Sequence, residues 1–254
     1  MKIVGVIPAR MAATRFPGKP LALLGGRPMI EHVYRRAERC PRLDAVYLAT
    51  CDREIYRAVG AFGGRALMTA DTHERCTDRV AEAAQALQGA DIVVNIQGDE
   101  PLIRPEAITQ LCDAALEDPD VPCVNLANLI TEEADFRNPN QIKAVCDRAG
   151  FALYMSRQPI PTTRQWGQSR VLRQLGMIAF RRNFLEAFAR LEPTPLEIAE
   201  SVDMLRAVEH GYRVKMVITP HQSFGVDTPD DLRVAERRLS GDPWATAAFA
   251  VSAR

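Results

Sequence analysis

Several features are scarce in this chain, and each scarcity excludes a class of protein. No two cysteines stand close together: Cys40, Cys51, Cys76, Cys112, Cys123 and Cys146 show no CxxC spacing, which removes the signature of a zinc site or a redox dithiol. With 254 residues the chain has no need of a disulfide framework. Four of the six lie beside strands or on apolar helix faces, where reduced thiols are expected. An excess of one charge is also missing: 32 basic residues balance 32 acidic ones. That excludes a general affinity for nucleic acid or an anionic membrane, so any binding of anions has to be local. No apolar run reaches membrane-spanning length. The amino terminus runs directly into a strand without a signal peptide, so a cytoplasmic location is expected. Neither GxxxxGK[ST] nor GxGxxG is present, which rules out a Walker loop and a dinucleotide fingerprint. No Ser-His or Cys-His pair is evident, and His32, His73, His210 and His221 read as incidental.

What is present is ordinary globular material, 47% hydrophobic and 25% charged, enough for a large core. Apolar runs at Lys2–Pro8, Ala45–Thr50, Ile92–Ile96 and Cys123–Leu129 alternate with segments of helical spacing. Pro28 at a first helical position leads into Ile30, Val33, Tyr34 and Ala37. Thr77 is placed to cap a helix carrying Val80, Ala83, Ala84 and Leu87. Ile108, Leu111, Cys112 and Ala115 mark a third helix. This alternation predicts an α/β fold, a doubly wound, mostly parallel sheet with helices on both faces. Beyond residue 130 the rhythm changes. Gln141–Cys146 and Phe151–Ser156 read as a hairpin, and the polar segment Pro161–Arg170 as a mobile or dimer-facing loop. A strand near Leu175–Phe180, a helix across Phe184–Leu191, a longer helix from Leu196 to Glu209 and a strand at Val214–Thr219 follow. Thr228-Pro229-Asp230-Asp231 opens a last helix, and the tail from Ser240 reads as appended. The expectation is one domain over residues 1–254, with about 131–180 carrying the inserted hairpin and loop.

Three stretches carry chemistry. Residues 7–20, IPARMAATRFPGKP, leave the first strand with Arg10, Arg15 and Lys19 fixed on one loop and Gly18 allowing close backbone approach. That pattern fits a polyphosphate, although alone it reads equally as a solvated basic loop. Residues 95–101, NIQGDEP, put Asp99 at the carboxyl end of a strand, the ligand-binding edge of a parallel sheet. Magnesium takes one or two carboxylates plus substrate phosphates, and a simple Gly-Asp turn is the alternative. Residues 225–229, GVDTP, offer Asp227 as a second carboxylate, or merely as a helix cap.

Together these stretches make the chain recognisable. It resembles the CMP-Kdo synthetases, the 3-deoxy-manno-octulosonate cytidylyltransferases. The likeness runs from about Ile3 to Leu239, through IPAR, TRFPGKPL, GRPMIEHV, NIQGDEP, NPNQIKAV, ALYMSR, PIP, LRQLG, PLE and GVDTPDDL. The resemblance implies a nucleotidyltransferase-type sheet and transfer of CMP from CTP to a sugar-acid hydroxyl. It also implies a role in lipopolysaccharide biosynthesis and a homodimer joined through the inserted region. In that reading Arg10, Arg15 and Lys19 bind the CTP phosphates, with Arg10, Lys19 and Asp99 at the chemistry and Ala9 and Arg10 near the base. Gln97 helps read cytosine, Thr77 and Arg79 lie beside the nucleotide, and Asp99 and Asp227 hold Mg2+. Arg157, helped by Arg173, faces the small acidic acceptor, and Arg75, Gln174 and Met204 occupy the remaining acceptor positions.

The sequence departs from the family pattern at those acceptor positions. Cys76 stands where a glycine is usual and Arg75 is an added cation. Gln174 replaces histidine, Ile178 tyrosine, and Met204 glutamine. Removing polar partners from a sugar-binding pocket alters its specificity. A different 2-keto-3-deoxy acid or a phosphonate therefore remains open as acceptor, as does a sugar-1-phosphate enzyme.

Overall fold

A computed structural model describes residues 1–162 and 170–249. The chain runs β1 (Ile3–Ala9), β2 (Leu23–Leu24), β3 (Arg27–Pro28), α1 (Met29–Glu38), β4 (Ala45–Thr50), α2 (Arg53–Ala61), β5 (Ala66–Met68) and α3 (Cys76–Gln85). It continues with β6 (Ile92–Asn95), α4 (Pro105–Glu117), β7 (Cys123–Leu129), α5 (Glu133–Arg137), β8 (Lys143–Cys146), β9 (Ala152–Ser156) and β10 (Leu172–Arg181). The remaining elements are α6 (Arg182–Phe188), α7 (Pro195–Glu200), α8 (Met204–Glu209), β11 (Val214–Ile218), α9 (Pro229–Leu239) and α10 (Trp244–Ala247).

The main sheet has the order β11-β7-β10-β6-β1-β4-β5, with β8 paired to β10 and β9 paired to β8 off that path. β1 is parallel to β4 and β6, and β7 to β11, whereas β10 runs antiparallel to β6 and β7. Side chains of β1 alternate between the two faces, as a strand buried on both sides must. Ile3 and Ile7 pack with Ile30, Val33, Ile108 and Leu111 from α1 and α4. Val4 and Val6 pack with Val80, Phe184, Leu185 and Leu205 from α3, α6 and α8. Because β1, β4 and β6 are parallel, their carboxyl ends lie together, and the loops that leave them meet on one edge.

Several local expectations change. The strand expected at 175–180 is the longer β10, with a register irregularity between Gln174 and Ile178 against β7. The helix expected over 196–209 is broken into α7 and α8, because Ser201 adopts a left-handed φ of 53°. Thr77 does not cap α3; Arg75 occupies that position and Thr77 is the second residue of the helix. Pro28 closes the small β2–β3 hairpin and precedes α1. The hairpin β8–β9 forms as read, with Asp147 accepting from the Phe151 amide at 2.9 Å. Residues 163–169 of the expected polar loop lie outside the described residues.

The segment after Ser240 is not an appendage. Asp242 ion-pairs with the fully buried Arg36 of α1, and Arg104 reaches the same carboxylate at 3.5 Å. The Ala248 carbonyl accepts from the Arg39 guanidinium at 3.2 Å, and the Phe249 ring lies under Arg27 and against His32.

At the start of α9, Thr228 Oγ1 accepts from the Asp231 amide at 3.2 Å, and Asp231 Oδ2 accepts from the Thr228 amide at 2.9 Å and the Asp227 amide at 3.1 Å. This box fixes the backbone of Asp227 as well as the helix. Thr228→Ala is expected to lower stability by about 1 kcal/mol, read as a shifted urea midpoint at unchanged slope.

Candidate functional site

The loop leaving β1 folds on itself through backbone bonds. The Gly18 amide donates to the Met11 carbonyl at 3.0 Å, and Gly18 takes a left-handed φ of 73° before the turn at Lys19–Leu21. Asp52, beyond β4, accepts from the Met11 amide at 2.8 Å and ties the loop to the sheet edge. This places Arg10 and Lys19 along one side of a cleft of about 260 Å³. Ala9, Arg10, Lys19, Arg75, Cys76, Arg79, Gln97 and Asp99 all line it. Arg10 is exposed and makes no ion pair among the described residues.

The loop leaving β6 crosses close over β1. A Cβ at Gly98 would sit 2.6 Å from the Pro8 carbonyl, so only glycine lets the loop pass there. The crossing brings Asp99 to Lys19, whose Nζ lies 3.0 Å from Asp99 Oδ2 and 3.3 Å from Asp227 Oδ1. Arg15 completes the chain of charges at 3.0 Å from the other Asp227 oxygen. The Val226 amide donates to the Asp99 carbonyl at 2.9 Å, so the two carboxylate-bearing loops are pinned to each other. Two carboxylates separated widely in sequence thus share one cation.

That geometry fits a divalent ion. Among the described residues no three His, Cys, Asp or Glu side chains gather as a metal cage. Magnesium does not need one, since phosphate and water complete its shell around one or two carboxylates. The Lys19 ammonium stands between the carboxylates as a charge of the same sign. Next to them, burial pushes Glu100 up to about 7, with the Asp99 charge adding to the shift and Ser223 and Arg173 opposing it.

The floor of the cleft is a polar knot. Gln97 Nε2 donates to the Gly176 carbonyl at 3.0 Å and lies 3.8 Å from Cys76 Sγ. Cys76 also faces Asn95 Nδ2 and Asp203 Oδ2, each at 3.8 Å. Thr77 is fully buried and donates to Asp203 at 2.8 Å, so it buttresses the floor instead of lining the cleft. Arg79 lines the cleft while donating to Thr69 Oγ1 at 2.6 Å and the Ala70 carbonyl at 3.0 Å. Arg75 turns toward α7 and α8, at 2.7 Å from Ser201 Oγ and 3.8 Å from Asp203 Oδ1.

Burial, reinforced by the Asp203 charge, pushes the Cys76 thiol up to about 12. A thiol loses its proton only as pH rises through its pKa, so at pH 8 roughly one in ten thousand is ionised. Iodoacetamide is therefore expected to leave Cys76 unlabelled in the folded protein between pH 7 and 9 and to label it after denaturation. Peptide mass mapping checks this, and fast labelling at pH 8 would contradict it.

The other acceptor positions are placed differently. Arg157 donates to the carbonyls of Glu200 at 2.7 Å, Pro139 at 3.2 Å and Ser201 at 3.3 Å, which ties the end of β9 to α7. Arg173 reaches Asn128 Oδ1 at 2.8 Å, and Gln174 Nε2 donates to Asn125 Oδ1 at 2.7 Å. Met204 has no exposed surface and belongs to the core under α3, α6 and α8, where Ile178 is also buried. None of Arg157, Arg173, Gln174 or Met204 lines the cleft. Sequence reasoning missed Gly176 and Asp203. The register break in β10 and the break at Ser201 bring them to the floor; the one local signal is a glycine, Gly176, inside the strand pattern of β10.

Known proteins share this sequence and fold. A family model described as cytidylyltransferase matches residues 4–216. The chain is 45% identical over 251 residues to a 3-deoxy-manno-octulosonate cytidylyltransferase of Geobacter metallireducens, covering 94% of this chain and 98% of the relative. It is 47% identical over 250 residues to the protein of that name from Pelobacter propionicus, with the same coverage. A solved structure of CMP:2-keto-3-deoxy-manno-octonic acid synthetase complexed with CTP superposes with a TM-score of 0.90 at 38% identity, over 95% of this chain and 99% of that one. A cytidylyltransferase from Leptospira borgpetersenii, at 18% identity and a TM-score of 0.65 over 95% of this chain and 87% of that one, shares the fold.

Proposed function

The chain belongs to the cytidylyltransferase family, and on that premise we propose that it transfers CMP from CTP to the hydroxyl of 3-deoxy-manno-octulosonate, releasing pyrophosphate. The observation that carries the reading is the meeting of Lys19, Asp99 and Asp227 at the mouth of a cleft floored by Gln97. The acceptor oxygen attacks the α-phosphorus, the bond from that phosphorus to the bridging oxygen breaks, and the hydroxyl proton is released. Little covalent work falls to the protein, so positioning and charge dominate. Arg10 is free to meet the triphosphate, and Lys19 and Arg15 reach it by exchanging carboxylate for phosphate partners. Asp99 and Asp227 would hold Mg2+, which supplies neutralisation of the phosphates and a lower pKa for the attacking hydroxyl.

The acceptor follows the relatives' names and the small size of the departures once placed in space. Met204 and Ile178 lie in the core and neither lines the cleft. Arg75 is held by Ser201 and Asp203, which weighs against a phosphonate as the natural acceptor. A homodimer joined through the region after residue 130 belongs to the same reading. The edge strand β9 supports it, with Leu153 61% exposed. The test is pyrophosphate release with CTP and a panel of acids. Turnover of 3-deoxy-manno-octulosonate at micromolar concentration, at least tenfold more efficient than that of any phosphonate, is expected. A phosphonate used in preference would overturn the acceptor assignment.

A further inference from the structure

We propose that Gly176 and Cys76 are positioning residues that lock the Gln97 amide as a pure hydrogen-bond acceptor toward the ligand. The ligand group it reads is a hydrogen-bond donor, either the exocyclic amine of the base or a hydroxyl of the acceptor acid. The inference rests on the CTP-transfer reading for its ligand and on geometry for the lock.

The orientation of a glutamine amide follows from its partners. The Gly176 carbonyl can only accept, so the group 3.0 Å from it is the nitrogen of Gln97. The second N–H side of that nitrogen faces Cys76 Sγ at 3.8 Å. The thiol can accept there because its own hydrogen has Asp203 Oδ2 to point at, 3.8 Å away. Both donors of Gln97 are therefore directed at the protein. Its oxygen, across the same planar group, accepts no bond from any described residue, and the side chain lines the cleft. An acceptor held in that way welcomes an amine or hydroxyl and repels a carbonyl.

Gly176 is what makes the lock possible. It lies in the register break of β10, between Gln174 and Ile178, where the strand swings its carbonyl toward Gln97. A Cβ on Gly176 would come within 2.3 Å of Gln97 Cγ, 2.5 Å of Cδ and 2.5 Å of Nε2, and these are its three nearest neighbours. The obstacle to a side chain at this position is therefore Gln97 itself. Two substitutions that look independent in sequence are coupled in space.

The experiment is a double-mutant cycle of Gly176→Ala and Gln97→Ala, with Cys76→Ala as a third variant. Specificity constants are measured for CTP, UTP and the acid, along with CTP dissociation constants by calorimetry. Gly176→Ala and Gln97→Ala are each expected to lower the specificity constant for the substrate bearing the donor by about tenfold to a hundredfold, and the double variant no further than Gln97→Ala alone. Cys76→Ala, which takes the sulfur away from one N–H of Gln97 and one of Asn95, is expected to lose a few-fold. If the donor is the base amine, the preference for CTP over UTP collapses. If it is the acceptor hydroxyl, KM for the acid rises while CTP binding is unchanged. A Gly176→Ala penalty that persists undiminished without Gln97, or no penalty at all, would overturn the lock. Ligand-free melting of the same proteins separates the two claims. Gly176→Ala should lower the midpoint only when Gln97 is present. Coupling of that kind in a protein that fails to use CTP would count against the function and leave the lock standing.

Discussion

Asp99→Asn is expected to lower turnover by about a thousandfold or more while leaving the fold intact. The substitution keeps the shape of the side chain and removes the charge that Lys19 faces at 3.0 Å. In the free protein that ion pair is half-exposed, with Asp99 at 33%, so its loss costs stability at most about 1 kcal/mol. With CTP bound the consequence is different. Charge that gathers on the phosphates during transfer has to be neutralised, and one missing preorganised partner is worth on the order of a hundredfold to a thousandfold. Loss of a carboxylate from a two-carboxylate magnesium site adds weakened metal binding to that deficit. The check is a magnesium titration of pyrophosphate release beside thermal melting. Wild-type turnover with an unchanged magnesium dependence would remove Asp99 from the chemistry. The same loss accompanied by unfolding would assign it a structural role instead.

The second large effect concerns the far side of the molecule. Arg36 has no exposed surface, its Nε lacks a partner, and NH1 reaches the Ile103 carbonyl only at 3.4 Å. Its charge is matched by Asp242. Burial lowers the Arg36 pKa and the Asp242 carboxylate opposes that shift. Removing one partner of a buried ion pair leaves an uncompensated charge and costs about 3–5 kcal/mol. Asp242→Ala is therefore expected to lower the melting midpoint by about 10 °C. Replacing both partners removes the penalty along with the bond, so Arg36→Met with Asp242→Ala should recover most of that loss. Equal destabilisation in the single and double variants would show that the two side chains are not coupled. The tail thus stabilises α1, which carries Ile30 and Val33 into the core against β1.

These two cases mark what could and could not be read along the chain. The β1, β4 and β6 strands and the helices after them follow from apolar periodicity, because each buries a continuous face. Lys19, Asp99 and Asp227 were legible as candidates, since cations and carboxylates on loops at strand ends have few other uses together. The role of the tail was not legible. Asp242 looks like any polar surface residue until Arg36 is found with no water to face. Met204 shows the opposite: its place in a family motif predicts contact with the ligand, but after the break at Ser201 the side chain lies in the core. Arg157 carries the charge an acidic acceptor needs, yet it satisfies three backbone carbonyls at the junction of β9 and α7. Gly176 stands within the LRQLG stretch, but its role is not readable there because it lies in the space the residue leaves for Gln97.

The central claim is a transfer reaction at the site joined by Lys19, Asp99 and Asp227. It is tested most directly by incubating the protein with CTP, 3-deoxy-manno-octulosonate and Mg2+ and analysing the products by mass spectrometry and a pyrophosphate assay. The expected result is one pyrophosphate for each CMP-linked acid formed, with both absent when magnesium is chelated. Release of inorganic phosphate instead, a product that retains two phosphates, or no consumption of CTP would contradict it.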